Sequence, residues 1–201
     1  MAIDADRTAN SVVAVVLAAG EGSRFRAQAG ADQDKLMALC RRDGGVARPV
    51  LEHVLLGLQE RLVRRVVITR PGNDQVIALA RAHGCEVVEL ESAGMGDSLA
   101  AAVASCPQAG GWLVVLGDMP FVAGTTLDAV IAAMGEGHIV IPAGLEGNGH
   151  PVGFGRAFGP ALQALTGDQG ARRLLVPEAL VTVKVADTGI YRDIDVPANL
   201  T

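Results

Sequence analysis

Five charged residues carry the chemistry available to this sequence. Arg24 comes two residues after Gly22 in "LAAGEGSRF" (residues 17–25), and Lys35 follows eleven residues later in "DQDKLMAL". Two cations on one loop suit a polyphosphate, whose charge must be neutralised on several oxygens. Asp118 closes the apolar run "WLVVLGD", with Pro120 ending any strand pairing just beyond it. A hard divalent cation such as Mg²⁺ takes carboxylate oxygens together with substrate phosphates, and Asp118 is a donor of that type. Asp193 and Asp195 stand two apart in "YRDIDVPANL". An extended segment turns both to one side, so either one can join Asp118.

Such residues need a frame to bring them together. Apolar runs at 12–17, 66–68, 86–90, 112–116 and 139–141 read as strands. They are continuous and β-branched rather than alternating, as in strands covered on both faces. Between them, residues 49–62, 74–84, 98–106 and 126–137 place apolar side chains at helical spacing. Asp74 stands at an N-cap position and Gly84 where a C-cap glycine belongs. This alternation predicts βαβ units and a mostly parallel sheet in one α/β domain. After Pro142 the pattern changes. Glycine-rich loops surround a short strand at 151–154, followed by a helix at 159–165, the turn "TGDQG", a short helix "ARRLL" and a strand at 181–185. With no linker and no repeat, residues 1–201 read as a single domain.

A strand that runs into glycines suggests a phosphate loop. Two common spellings fail here. Gly20 and Gly22 are followed by Phe25 where the dinucleotide fingerprint needs a third glycine, and the chain contains no GK pair for a Walker loop. Gly20 and Gly22 still let backbone N–H groups approach phosphates, and Ala18 and Ala19 leave room for a flat base or sugar. From the residues alone, other readings stay open: a plain βα turn with surface cations, a helix-capping Asp118, and a solvent-facing pair at Asp193 and Asp195.

Bulk properties narrow the partners. A net charge of −5 with only 3 % aromatic residues gives neither the electrostatic footprint nor the stacking surface expected of a nucleic-acid binder, and it argues against an anionic membrane. Cys40, Cys85 and Cys106 are odd in number and unpaired in spacing, which fits free thiols in a reducing compartment. His53, His83, His138 and His150 make no zinc spacing. "MAIDADRTAN" lacks the basic and apolar regions of a secretory leader, so the expected location is cytoplasmic.

Six segments together resemble the MobA-like nucleotidyltransferases, most closely the molybdenum cofactor cytidylyltransferases. "LAAGEGSRF" is similar to the family's LAAGxGxR loop, "GMGDSL" (residues 94–99) to its base loop and "LGDMPFV" to its metal-binding DMP motif. "GNGHPVGFGRAF", "LTGDQGARRLL" and "DIDVPANL" are similar to its substrate-side GHPxxF, GDxGAR and DIDTPxDL segments, and all six occur in family order. The stretch 26–34 is longer than the family's usual loop and lacks its proline before the lysine. Asn148 stands where an arginine is frequent, and Val196 replaces the threonine of DIDTP.

The resemblance implies a Rossmann-like, three-layer domain of the nucleotide-diphospho-sugar transferase type, with an NTP part over about 12–125 and an acceptor part over about 140–201. It implies Mg²⁺-dependent transfer of CMP from CTP to the phosphate of molybdopterin cofactor, releasing pyrophosphate. Relatives that use GTP carry LAGG, so Ala19 favours the cytidylyl branch. On the same grounds Arg24, Lys35 and Asp118 are catalytic. Leu17, Ala18, Ala19, Gly20, Gly22 and Ser23 line the nucleotide, Gly96 and Ser98 face its base, Asp118 and Asp195 hold the metal, and Gly149 and His150 sit on the acceptor side. A molybdenum hydroxylase apo-enzyme is the implied recipient. Two alternatives accompany this reading: a sugar or alditol phosphate as acceptor, and a non-catalytic chaperone of the cofactor.

Overall fold

Strand β1 (Val12–Leu17) sets the layering. Its side chains alternate across the sheet, so Val12, Ala14 and Val16 face one core while Val13 and Val15 face another. The computed structural model describes residues 12–42 and 44–200. The N-terminal stretch read above as lacking a leader lies outside these.

Along the chain follow α1 (Ser23–Ala29), β2 (Leu39–Cys40), β3 (Arg48–Pro49), α2 (Val50–Gln59), β4 (Arg65–Thr69), α3 (Asp74–Ala82), β5 (Glu86–Glu89), α4 (Met95–Ser105), β6 (Gly111–Leu116), α5 (Gly124–Ala133), β7 (Ile139–Gly144), β8 (Gly147–Asn148), β9 (Val152–Gly155), α6 (Gly159–Gln163) and β10 (Leu180–Lys184). The main sheet has the order β10-β7-β9-β6-β1-β4-β5, with β8 folded back on β7 and a separate β2–β3 pair. β1 is parallel to both β4 and β6. β9 runs antiparallel between β6 and β7.

Helices cover both faces. On one side Leu51, Leu55 and Leu58 of α2, Val76 and Ala80 of α3, and Val130 of α5 pack on the sheet. On the other, Leu99, Ala102 and Val103 of α4 meet Leu162 of α6. Each fully buried Leu or Val contributes about 1.5–3 kcal/mol over leaving it in water. Trp112 is core, as its apolar run predicts, and is almost fully buried. Gly159 keeps α6 close to it, since a Cβ there would come 2.8 Å from the indole ring.

Several local expectations are corrected. Residues 23–29 form α1 rather than an open loop. Gly22 (φ 61) starts the helix, and Phe25 anchors it against Cys40, Val50 and Ile194. Asp74 is the first helical residue of α3, with Asn73 at the cap position, whereas Gly84 (φ 69) does follow that helix as expected. β5 is an edge strand whose terminal Glu86 and Glu89 are exposed, while Val87 and Val88 between them pack on opposite cores. The three cysteines are free and buried, and burial pushes their thiols up. Among the described residues no helix is long and apolar enough to cross a membrane.

The chain order makes one crevice. From β1 the sheet grows to β4 and β5 on one side and to β6 on the other. At such a switch point the loops leaving the carboxyl ends of neighbouring strands diverge, and open α/β sheets bind ligands there. Gly117 N–H donates to the Leu17 carbonyl at 3.0 Å, which brings Asp118 beside the end of β1.

Candidate active site

Lys35 joins the glycine turn to Asp118. Its side chain runs past Gly22, where a Cβ would lie in ordinary contact, 3.4 Å from Lys35 Cγ, so it is the positive φ that calls for glycine. Lys35 Nζ then donates to Asp118 Oδ2 at 2.5 Å, and both side chains are largely buried. The turn, the lysine and the aspartate therefore lie within one lysine side chain of each other.

The C-terminal aspartates reach the same place through one backbone bond. Ile194 N–H donates to the Asp118 carbonyl at 2.9 Å, and the Ile194 side chain is fully buried beside Phe25. This anchor splits the pair. Asp193 lines the cleft with Asp118. Asp195 turns to the rim, where its Oδ2 accepts from Arg24 Nη1 at 2.7 Å. Of the expected metal pair, Asp118 lines the cleft, whereas Asp195 lies outside its lining, paired with Arg24.

The cleft has a volume of about 500 Å³. Leu17, Ala18, Ala19 and Gly20 form its floor at the end of β1, and Ser98 and the loop 92–95 form one wall. Gly20 is an open ledge, since a Cβ there would meet nothing within 4 Å. The Ser98 hydroxyl is buried and donates to Ser92 Oγ at 3.0 Å. Gly22, Ser23 and Arg24 flank the cleft without lining it. Gly96 does not line it either: it packs on the turn 166–169, where a Cβ would come 2.7 Å from the Gln169 carbonyl. Asp168 is a cleft residue that the residue-by-residue reading passed over, although the segment resembling GDxGAR contains it.

A second pocket, about 460 Å³, adjoins the first through Leu17, Leu116 and Met95. Val114, Ile141, Val152, Phe154 and Leu175 make its walls aliphatic and aromatic, while Asn148, Gly149, His150 and Arg172 supply its polar positions. Gly149 is packed tightly, since a Cβ would come 2.6 Å from the Ile190 carbonyl. His150 N–H donates to that same carbonyl at 3.0 Å. The ring Nδ1 is buried without a hydrogen-bond partner. Burial pushes the imidazole pKa down, against the opposing pull of Asp118 and Asp193.

The donor set fits a hard cation. Asp118, Asp168 and Asp193 give the cleft oxygen ligands against the single lysine. Among the described residues no three acidic, histidine or cysteine side chains already form an ion cage. An ion here would complete its shell with phosphate oxygens and water, as Mg²⁺ and Mn²⁺ do.

Known proteins resemble this chain in sequence and in fold. The bifunctional protein GlmU of Acidiphilium cryptum is 32 % identical over 148 residues, covering 74 % of this chain and 31 % of that protein. The chain thus spans about a third of the length of the curated relatives it matches. The crystal structure of Rv0371c from Mycobacterium tuberculosis superposes with a TM-score of 0.75 at 27 % identity, covering 94 % of this chain and 95 % of that one. A second structure of Rv0371c is a complex with manganese. 4-Diphosphocytidyl-2C-methyl-D-erythritol synthase from Anaerococcus prevotii, at 14 % identity and covering 96 % of this chain and 95 % of that one, shares the fold with a TM-score of 0.67. The model of the MobA-like NTP transferase domain matches residues 14–183, from within β1 to within β10. The expected α/β architecture holds, and the chain belongs to the MobA-like NTP transferase family.

Proposed function

We propose that this nucleotidyltransferase moves CMP from CTP onto the phosphate of molybdopterin cofactor and releases pyrophosphate. The observation that carries the reading is the contact of Lys35 with both the glycine turn and Asp118, at the switch point and beside an apolar pocket. The open Gly20 ledge supports placing the triphosphate there. The Ala19 methyl at the end of β1 supports a pyrimidine over a larger base. A mostly aliphatic pocket supports a flat heterocycle, whose ring faces can lie on apolar walls while its edge heteroatoms meet Asn148, His150 and Arg172.

In the mechanism, an oxygen of the acceptor phosphate attacks the α-phosphorus in line. The bond from that phosphorus to the bridging oxygen of the β-phosphate breaks, and pyrophosphate leaves with the electron pair. The attacking oxygen is already anionic, so no side chain needs to remove a proton. The protein's work is positioning and charge compensation. Lys35 exchanges its bond to Asp118 for phosphate oxygens, and Arg24 faces the leaving group from the rim. Asp118 and Asp193 would hold a divalent cation, which supplies charge stabilisation for the phosphates. The product would pass to a molybdenum hydroxylase apo-enzyme.

The test is pyrophosphate release with CTP, GTP, UTP and ATP, each against molybdopterin and against a sugar phosphate and an alditol phosphate. CTP with molybdopterin should be fastest, should stop with EDTA and should resume with Mg²⁺ or Mn²⁺. Faster turnover on a sugar or alditol phosphate would replace the acceptor. That second reading draws on the fold neighbour named for a cytidylated methylerythritol and on the polar positions Asn148 and Arg172. Binding of CTP without turnover on any acceptor would leave the chaperone.

A further inference from the structure

The outer wall of the apolar pocket is one strap, residues 166–175. It places Asp168 in the nucleotide cleft, and Gly170, Ala171, Arg172 and Leu175 in the pocket. It is rooted at one end by the fully buried Leu165 and at the other by the half-buried Leu174 and Leu175. Between these roots its turn is held to the first turn of α4 by a two-way clasp. Gly96 N–H donates to the Gly167 carbonyl at 2.8 Å. Gly167 N–H donates to Asp97 Oδ1 at 3.0 Å. The contact leaves no room for side chains on the α4 side. A Cβ on Gly94 would overlap Asp168 and the Gly167 backbone, and one on Gly96 would come 2.7–2.9 Å from three carbonyls of the turn. The φ of Gly94 is 179°, an extended value open to any residue, so space alone demands glycine there.

We infer that Asp97 is a positioning residue that sets the acceptor pocket by docking the strap on the nucleotide loop. Asp97 lines neither the cleft nor the pocket. Its carboxylate acts only through Gly167, and through Gly167 on the placement of Asp168, Arg172 and Leu175. The same first turn of α4 carries Met95 and Ser98, which do line the cleft. The two walls therefore meet at this clasp, in which Asp97 supplies the side-chain half and Gly96 the backbone half. The role rests on the reading that the apolar pocket takes the acceptor, but the clasp itself can be measured without any ligand.

Asparagine keeps a carbonyl oxygen able to accept from Gly167, whereas alanine does not, so Asp97→Asn and Asp97→Ala separate the clasp from the charge. Hydrogen exchange of the ligand-free proteins is the first measurement. Asp97→Ala should speed exchange across 166–170 by about tenfold or more, the scale of a lost hydrogen bond to a charged group, with Asp97→Asn close to wild type. Unchanged exchange in Asp97→Ala overturns the inference. Steady-state kinetics is the second measurement, with CTP and whichever acceptor (molybdopterin, sugar phosphate or alditol phosphate) wild type turns over. Asp97→Ala should raise the acceptor KM about tenfold, raise the CTP KM by a smaller factor because Asp168 alone of the strap lines the cleft, and be rescued by Asp97→Asn. A parallel rise in both KM values, or no rescue by asparagine, marks a merely structural role and also overturns the inference. Wild type that is inactive on molybdopterin but active on another acceptor refutes the proposed acceptor, while the Asp97 comparison still decides this point.

Discussion

The nucleotide cleft and the apolar pocket beside it are built by different means. The cleft takes its groups from strand ends. Leu17 ends one parallel strand, Asp118 follows its neighbour, and Ile194 pins the C-terminal aspartates to Asp118. Lys35 is paired with Asp118 inside the cleft, and Arg24 with Asp195 at its rim. The pocket has sheet on one side only, and its far wall is a strap of turns and 3-10 helix. On the proposed reading, the fold fixes the groups that would handle phosphate and leaves the acceptor wall on an element outside the sheet. On that reading, the acceptor side of such a transferase can vary while the sheet that carries the cleft stays the same.

The sharpest way to break this contrast is Asp118→Ala. Loss of a preorganised charge contact in the transition state should lower kcat by about 10²–10³-fold. The circular dichroism spectrum should stay that of the folded protein, because Asp118 lies beyond the last residue of β6. Near-normal turnover would remove the cleft from the chemistry. Arg24→Ala should follow with a loss of similar order. Its effect on stability should be small, since the Arg24 side chain is 78 % exposed and a surface ion pair contributes about 0–1 kcal/mol. Turnover and thermal midpoint measured together separate the two roles.

On the pocket side, Leu175→Asp puts a carboxylate into the aliphatic wall. The acceptor KM should rise about tenfold or more, the scale of an unsatisfied polar group, while the CTP KM stays within about twofold. Equal changes in both constants would mean that the two pockets act as one site.

These predictions rest on parts of the molecule that were unequally legible. β1, β4, β6 and β7 could be read because continuous Val and Ile runs have few other uses. Arg24, Lys35 and Asp118 stand out as candidates by residue type alone, because so few side chains suit a polyphosphate and its metal. The pairing of Lys35 with Asp118 could not, since it spans 83 residues and depends on strand order. Nor could the split of Asp193 from Asp195. Alternation sends both to one side, and only the buried Ile194 between them and the position of Arg24 separate them. Helix α1 was hidden for a local reason: its start is a left-handed Gly22 with no side-chain cap, so no boundary residue announces it. The antiparallel β9 was read as a strand, but its place between β6 and β7 follows from packing that no local pattern records. Gly96 shows the opposite failure. Its place in a motif suggested contact with a base, whereas the structure uses its missing side chain for contact with the strap.

The smallest effect expected is a pH dependence that belongs to the pocket. His150 has a pKa below the ordinary value of 6.5, chiefly because burial disfavours the imidazolium. Asp118 and Asp193 pull the other way, and the Arg172 guanidinium in the same pocket offers the ring no acceptor. Above pH 6.5 the ring is neutral in both the folded and the unfolded chain, and its contribution to stability is fully present. As pH falls below 6.5 the unfolded chain takes up the proton first, so that contribution shrinks until the folded-state pKa is passed. Wild type should therefore lose thermal stability between pH 7 and pH 5 by more than His150→Asn does, because asparagine has no proton to gain. The CTP KM should follow the same course in both proteins, since the ring lines the pocket and not the cleft. Equal pH slopes in the two melting curves would show that the ring is solvated well enough to titrate normally. The aliphatic wall would then be wetter than its residues imply, and the contrast between a charged cleft and a dry pocket would weaken with it.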